Sequence, residues 1–298
     1  MRFRHPCRIQ RHHDNESITQ SFAADRIVGA APGTARSPGL RLMAAYIQAR
    51  NVNLSFRPAN RTPVRALDGF DIEVQEGEFL SIVGPSGCGK STFLNVVLGL
   101  LKPDSGEVLI HGNKIAGPGS DRAMVFQEFG LLPWRTVQHN IELGLELKRA
   151  SSAKRGAIAE RLIGLVGLTG FENHYPHELS GGMKQRVGLA RALATDPDVL
   201  LMDEPFAALD AQTRDLMQTE LLRIWREARK TVLFVTHQID EAIYLSDRVM
   251  VMSKRPGHAK KAFTIALPRP REYEMRVTPK FNELKLEIWN ALKDEIAV

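Results

Sequence analysis

The segment GPSGCGKST at 84–92 constrains the fold of this chain more than any other part of its sequence. It directly follows the apolar run FLSIV and directly precedes the apolar run FLNVVLGLL, an order that indicates strand, loop and helix. A glycine-rich backbone can turn several N–H groups toward one point without side-chain clashes, and phosphate oxygens need such converging donors. The segment therefore predicts a phosphate-binding loop between a buried strand and a helix.

Two side chains at the end of this loop suit a nucleoside triphosphate. Lys90 brings a positive charge to the β- and γ-phosphates, and Ser91 offers its hydroxyl to Mg²⁺. Cys88 is interpreted as contributing through its backbone, and its place beside Lys90 at a helix N-terminus predicts a lowered thiol pKa. The predicted nucleotide-binding residues of the loop are Gly84, Pro85, Ser86, Gly87, Cys88, Gly89, Lys90, Ser91 and Thr92.

Adjacent carboxylates end a second apolar run, DVLLMDEP at 198–205. A carboxylate at the end of a buried strand is costly unless it is paired or serves a cation, so Asp203 is predicted to hold Mg²⁺. Glu204, directly beside it, is predicted to polarise the attacking water as a general base. The pair thus indicates hydrolysis as well as binding.

The wider pattern predicts an α/β fold. The apolar runs at 198–202 and 231–235 suit strands buried on both faces, and an amphipathic helix between them implies a parallel sheet. Strands are expected in 46–56 and in 70–83, where Gly77 makes a turn. Helices are expected near 90–100 and 150–168. Thr278 and Pro279 start another predicted helix, whose buried face is formed by Phe281, Leu284, Ile288 and Leu292.

Residues 1–42 show neither strand nor helix periodicity and are predicted to be a disordered extension. They hold seven arginines and three acids and so contribute +4 of the net +6 charge. The rest of the chain carries only +2, which argues against nucleic acid as a partner. One hypothesis is that translation starts at Met43; an intact mass that includes 1–42 would refute it. Two cysteines are too few for a disulfide framework, and no apolar run reaches the roughly 18–20 residues of a membrane span.

Five motifs in a fixed order carry a resemblance to a known family. They are the loop at 84–92, Gln127 in VFQE, LSGGMKQR at 179–186, DVLLMDEP, and His237 after TVLFV. From about residue 46 to 255 the chain resembles the ATP-binding subunits of ABC transporters. The resemblance implies a P-loop NTPase core with a mostly parallel sheet, an N-terminal antiparallel β subdomain and an inserted α-helical subdomain. The implied ATPase domain is 43–255, with helices at about 130–182, followed by an extension at 256–298.

The resemblance also assigns roles that spacing alone does not. Gln127 is implied to contact Mg²⁺ and the attacking water, and His237 to contact the γ-phosphate, so that Glu204, His237, Gln127 and Lys90 form the catalytic set. Asp210 matches an interface aspartate, and Phe56 is an adenine-stacking aromatic or, as an alternative, a core residue. Met183 replaces a glutamine that often follows LSGG. The residues implied to reach ATP bound to the opposite subunit are Ser180, Gly181 and Gly182.

Looser likenesses at 117–147 and 235–271 point to importers of nitrate, sulfonate, taurine or bicarbonate, with taurine or aliphatic sulfonate as the leading expectation. The implied machine is a homodimer, or a dimer with a close homologue, that sandwiches two ATPs. Its implied partners are an integral-membrane permease and, indirectly, a periplasmic or lipid-anchored substrate-binding protein, which places the chain peripherally at the cytoplasmic face of the cell membrane. The apolar segment 131–134 is either a permease anchor or part of the core.

Other ATPase classes fit less well. A soluble ABC ATPase of DNA repair or chromosome structure normally carries a coiled coil or zinc module within the cassette, and a translation ATPase carries two cassettes. A simple P-loop kinase lacks LSGG and the histidine. None of these features distinguishes among possible cargoes.

Overall fold

The computed structural model describes residues 45–58 and 62–296. The predicted disorder of 1–42 and the proposed start at Met43 lie outside these ranges. Within them, the strands are β1 (Ile47–Phe56), β2 (Val64–Val74), β3 (Phe79–Val83), β4 (Ser105–Ile110), β5 (Asn113–Lys114), β6 (Arg122–Val125), β7 (Val199–Asp203), β8 (Thr231–Thr236), β9 (Arg248–Met252) and β10 (Ala259–Thr264). The helices are α1 (Lys90–Leu98), α2 (Val137–Leu147), α3 (Ser152–Leu165), α4 (Gly181–Ala194), α5 (Ala211–Ala228), α6 (Ile239–Leu245) and α7 (Pro279–Ile296).

The strands form two sheets. A four-stranded antiparallel sheet has the order β2-β1-β4-β5, and a six-stranded sheet has the order β10-β9-β3-β8-β7-β6. In the larger sheet every pairing from β9 to β6 is parallel, and only β10 runs antiparallel at one edge. The predicted parallel arrangement is therefore confirmed. β2 begins at Val64, six residues before the predicted run, because its first half alternates imperfectly between buried and exposed positions.

Strand register brings the carboxyl ends of the central strands to one edge. Val83 of β3 pairs with Thr236 of β8, and Asp203 of β7 pairs with Val235 of β8. Residues that follow these three strands must therefore lie side by side. In open α/β sheets this edge is where ligands bind.

Two hydrophobic clusters cover the two faces of the parallel sheet. One contains Leu80, Ile82 and the apolar face of α1, and it continues into the antiparallel sheet. The other contains Phe79 and Val83 together with the helices on the opposite face. Alternate residues of β3 thus enter different cores, which explains why four of its five residues are apolar; the fifth, Ser81, is buried and hydrogen-bonds to Ser246.

Helices α2, α3 and α4 pack on one another and form the inserted helical region. Asn140 is fully buried there and ties the helices to the preceding loop, because its side-chain amide donates to the carbonyls of Leu132, Arg135 and Thr136. Helix α4 continues to Ala194, and its buried residues also belong to the central core.

The C-terminal helix α7 begins at Pro279, as predicted, and lies against α6. Its four predicted core residues are at most 5% exposed, so the predicted buried face is confirmed. Among the described residues, no helix has both the length and the apolar character to cross a membrane.

We expect Ile288→Ala to lower the free energy of unfolding by about 2–5 kcal/mol, because Ile288 is completely buried and its removal leaves a cavity. The matched control is Leu286→Ala on the same helix, where the side chain is 59% exposed and the expected change is within about 0.5 kcal/mol. Urea unfolding curves of the two variants test this. Equal losses would mean that α7 does not pack as described.

Candidate active site

The loop between β3 and α1 turns tightly at the edge of the sheet where the central strands end. Gly89 immediately precedes α1 with φ 113°, and a Cβ at this position would lie 2.9 Å from the carbonyl oxygen of Ala66. Only glycine accommodates both the left-handed backbone and the close approach of β2. The first N–H groups of α1 have no partners within the helix, so the loop and the helix together present donors to an anion.

The Lys90 side chain folds back over this loop. Its ammonium donates to the carbonyl of Gly84 at 2.8 Å and to the carbonyl of Pro85 at 3.0 Å. The residue is 6% exposed, so its charge is held at the centre of the loop. A phosphate at this position would meet a cation whose orientation is already fixed.

The predicted lowering of the Cys88 thiol pKa is wrong. Burial is the dominant effect and raises the pKa above its usual value, although Lys90 and nearby backbone groups act in the opposite direction. The side chain is 1% exposed and packs in the core beneath the loop. Helix polarity and a neighbouring lysine are visible in the sequence, whereas the burial that outweighs them is not.

Ser91 and Asp203 meet across the sheet edge. The Ser91 hydroxyl donates to the Asp203 carboxylate at 3.0 Å. Burial is the main cause of a raised Asp203 pKa, and the charge of Glu204 raises it further, while Ser91 and Lys90 oppose the shift. A bound cation would relieve this unfavourable burial, and a hydroxyl beside a carboxylate is the oxygen donor set that Mg²⁺ prefers. These residues fit the predicted metal.

Glu204 forms a direct pair with His237. Nδ1 of His237 lies 3.0 Å from Oε2 of Glu204, and the two residues follow neighbouring strands, β7 and β8. Glu204 has φ 43°, and its backbone N–H donates to the carbonyl of Val235 at 2.9 Å. The carboxylate is therefore held in a strained backbone position beside the loop, a feature typical of functional residues.

A cleft of about 240 Å³ lies beside these groups. Its lining includes Lys90, Ser91 and Glu204, and also Phe56. Phe56 is 43% exposed, so it is not a core aromatic, and its ring is available for stacking. Among the described residues, Gln127, Asp203 and His237 do not line this cleft; Gln127 is exposed, two residues beyond β6 at the same sheet edge.

Arg255 also lines the cleft, and the sequence motifs do not predict it. Its loop is tied to β2, because the N–H of Gly257 donates to the carbonyl of Ala66 at 2.9 Å and the N–H of Asp68 donates to the carbonyl of Gly257 at 3.0 Å. A Cβ on Gly257 would lie 2.2 Å from the carbonyl oxygen of Cys88. The glycine of RPG at 255–257 was the only local signal of this close approach.

Comparison with known proteins agrees with this geometry. The family model described as ABC transporter matches residues 67–207. An uncharacterized ABC transporter ATP-binding protein of Methanocaldococcus jannaschii is 54% identical over 237 residues, which cover 80% of this chain and 88% of that protein. The chain belongs to the ABC transporter ATP-binding proteins. It is an ATPase of that family.

Other relatives of this ABC ATPase have more specific names. A taurine import ATP-binding protein of Pelagibacter ubique is 42% identical and aligns with 83% of this chain and 96% of its own. A nitrate import ATP-binding protein of Synechocystis is 44% identical, with 78% and 90% covered. A solved dimer of the ATP-binding cassette MJ0796, in a post-hydrolysis state bound to ADP and Pi, is 35% identical, with a TM-score of 0.65 over 74% of this chain and 100% of that one. These similarities confirm the predicted fold class.

The LSGG segment of this ABC ATPase opens α4, away from the P-loop cleft. The Ser180 hydroxyl accepts from the N–H of Met183 at 3.3 Å, which is an N-cap. A Cβ on Gly182 would lie 2.8 Å from Cγ2 of Thr213, so the glycine allows the first turn of α5 to approach α4. None of the three residues Ser180, Gly181 and Gly182 lines the cleft formed by the described residues.

Asp210 caps the helix that contacts the LSGG segment. Its carboxylate accepts from the N–H of Thr213 at 3.0 Å, and hydrogen bonds from Thr213 hold its pKa below the usual value. The side chain is exposed at the start of α5. Met183 is partly buried against the chain's own core.

We expect Cys88 to react with an aromatic disulfide reagent at least about ten times more slowly in the folded protein than in the urea-unfolded protein. Its burial blocks access, and its raised pKa leaves less thiolate at pH 8 than an ordinary cysteine has. The measurement uses a Cys7→Ser variant, in which Cys88 is the single thiol. Equal rates in the folded and unfolded states would contradict the described burial.

Proposed function

We propose that this chain is the ATP-hydrolysing subunit of an importer for a small anion. The observation that carries the proposal is the Glu204–His237 pair at 3.0 Å, with Glu204 on the wall of the cleft that also contains Lys90. A phosphate-binding loop alone supports binding. A carboxylate beside it, oriented by a second polar side chain, supports hydrolysis.

Glu204 accepts a proton from the attacking water in this proposal. An ionised carboxylate has only acceptors, so Nδ1 of His237 is the donor in the observed pair. Nε2 then donates to a phosphate oxygen only if the ring is an imidazolium or if the pair rearranges when nucleotide binds. His237 therefore orients Glu204 first and contacts the γ-phosphate second.

Positive charge in the cleft comes from Lys90, the first residue of α1, and from Arg255, in the loop between β9 and β10. Lys90 exchanges its carbonyl contacts for phosphate oxygens, and the N–H groups of 84–92 bind the remaining oxygens. Phe56 stacks on the adenine. Ser91, Asp203 and Gln127 would hold Mg²⁺, which would supply positive charge beside the phosphates. Gln127 is exposed two residues beyond β6, at the same sheet edge as Asp203.

We further propose that the site is completed by a second chain. Ser180, Gly181 and Gly182 form the kind of helix N-terminus that binds an oxyanion, yet they do not line the cleft of their own chain. The solved relative MJ0796 is a dimer. A homodimer, or a dimer with a close homologue, would bring this segment and Asp210 to ATP bound by the partner.

The helical region is the proposed contact with an integral-membrane permease. Trp134 is 71% exposed just before α2, whereas Leu131 packs partly against the core. Leu131 is thus half-buried, whereas Trp134 is an exposed aromatic of the kind that suits an interface. The chain would lie peripherally at the cytoplasmic face of the membrane and meet a substrate-binding protein only indirectly. We propose 43–255 as its ATPase domain.

Taurine or an aliphatic sulfonate is the proposed cargo, with nitrate as the next candidate. The support comes from relatives named for taurine and nitrate import, at 42% and 44% identity. An ATP-binding subunit does not contact the cargo, so no pocket of this chain decides between them.

Glu204→Gln is expected to reduce ATP turnover at least about 100-fold while ATP binding persists, because the amide cannot accept the water proton. ATP should then accumulate in a trapped dimer, visible by size-exclusion chromatography with radiolabelled ATP. Lys90→Ala is expected to weaken both binding and hydrolysis. The control is Glu287→Gln on the exposed side of α7, with unchanged turnover. Wild-type turnover in Glu204→Gln would eliminate Glu204 as the base.

Reconstitution with the permease and binding protein tests the cargo. Taurine or an alkanesulfonate is expected to stimulate ATP turnover in proteoliposomes, and nitrate less so. Chloride at equal ionic strength controls for salt. No response to any of these anions would reject the proposed cargo class, and failure to copurify with any permease would favour a non-transport ABC ATPase.

A further inference from the structure

A series of hydrogen-bonded side chains, here called the polar network, begins directly beside the proposed catalytic histidine. It consists of Thr236, Glu241, Gln218 and Arg276. Thr236, the last residue of β8, is 1% exposed, and its hydroxyl donates to Oε2 of Glu241. The same hydroxyl oxygen accepts from the N–H of Gln238 at 3.0 Å. Hydrogen bonds therefore fix the residues on both sides of His237, whose own side chain is half exposed.

Glu241 connects Thr236 to helix α5 by a second hydrogen bond. Its Oε1 accepts from the side-chain amide of Gln218 at 2.8 Å, and the two residues are 4% and 1% exposed. Burial raises the pKa of Glu241, while the hydrogen bonds from Thr236 and Gln218 oppose that rise. The carboxylate is thus held by neutral donors in a dry environment, where each lost bond is costly.

The last residue of the polar network, Arg276, belongs to the C-terminal extension. The guanidinium of Arg276 donates through NH2 to Oε1 of Gln218, and through NH1 to Asp215 at 2.7 Å. It also lies 4.2 Å from the ring centroid of Tyr244 and 5.0 Å from that of Tyr273. Two aromatic rings and a carboxylate therefore fix its position.

The direction of these hydrogen bonds matters. A guanidinium only donates, so Arg276 must face the carbonyl oxygen of the Gln218 amide. The amide nitrogen is then forced toward Glu241, which leaves the other carboxylate oxygen for Thr236. Without Arg276, the buried carbonyl oxygen of Gln218 loses its donor, so the Gln218 side chain is held only by its bond to Glu241 and fixes the β8–α6 junction less firmly.

We propose that Arg276 is a positioning residue for ATP hydrolysis, acting on His237 through Gln218, Glu241 and Thr236. The inference rests on the catalytic role proposed for His237. It assigns a function to the segment after residue 255, beyond the residues matched by the family model, which end at 207. The segment would be needed for turnover as well as for stability.

The test is a double-mutant cycle in the full-length chain. Arg276→Met removes the donor while keeping much of the packing volume, and we expect a three- to tenfold loss of kcat with less than a twofold change in the KM for ATP. Arg276→Lys should recover part of the loss, because it restores a donor. In a His237→Ala background, Arg276→Met should change the residual kcat less than 1.5-fold.

Lys285→Met is the matched control. Lys285 also links the C-terminal extension to α6, through a 2.8 Å ion pair with Asp240. It is not part of the polar network, so its loss should change kcat less than 1.5-fold. If Arg276→Met does not fold, Gln218→Met interrupts the same polar network, and its kcat is compared in the two backgrounds instead.

Equal losses in both backgrounds, or no loss in the first, would overturn the inference. If His237→Ala itself retained wild-type turnover, the proposed role of His237 would fail instead. The two failures are therefore distinguishable by the single-variant rates.

Discussion

The parallel register of β3, β7 and β8 is the constraint on which the rest of the structure depends. Val83 pairs with Thr236, and Asp203 pairs with Val235, so three chain segments leave the sheet at the same edge. The phosphate-binding loop, the two carboxylates and His237 are distant in sequence, and this pairing alone makes them neighbours. A slip of one residue would turn each side chain to the opposite face.

Burial on both faces keeps that register in place. The central strands are mostly apolar because alternate residues enter the core shared with α1 or the core shared with the helices. Apart from Ser81, which is buried and hydrogen-bonds to Ser246, the polar groups lie at the strand ends, where Asp203 and Glu204 remain partly accessible. The same dry interior raises the pKa values of Asp203 and Glu241, so the sheet that aligns the site also sets its electrostatics.

Motifs with strong local rules could be predicted from the sequence. The glycine loop, the apolar strands and the buried face of α7 each follow from backbone freedom or periodicity. Properties that depend on distant packing were not predicted. The pKa direction of Cys88 depends on burial in the core beneath the loop, and Arg255 lies in a loop that the hydrogen bonds of Gly257 tie to β2. The polar network from Arg276 to Thr236 joins residues of four separate elements. These residues form no sequence motif, so the sequence did not predict it.

The contact between Gly182 and Thr213 has a mechanical consequence. Thr213 also binds the Asp210 carboxylate, so the LSGG segment and the start of α5 touch with almost no free space between them. Helix α4 cannot tilt toward the central domain without pushing that turn. In the proposed dimer, Ser180 and Asp210 would thus reach the opposing nucleotide from two helix N-termini that are already in contact within one chain.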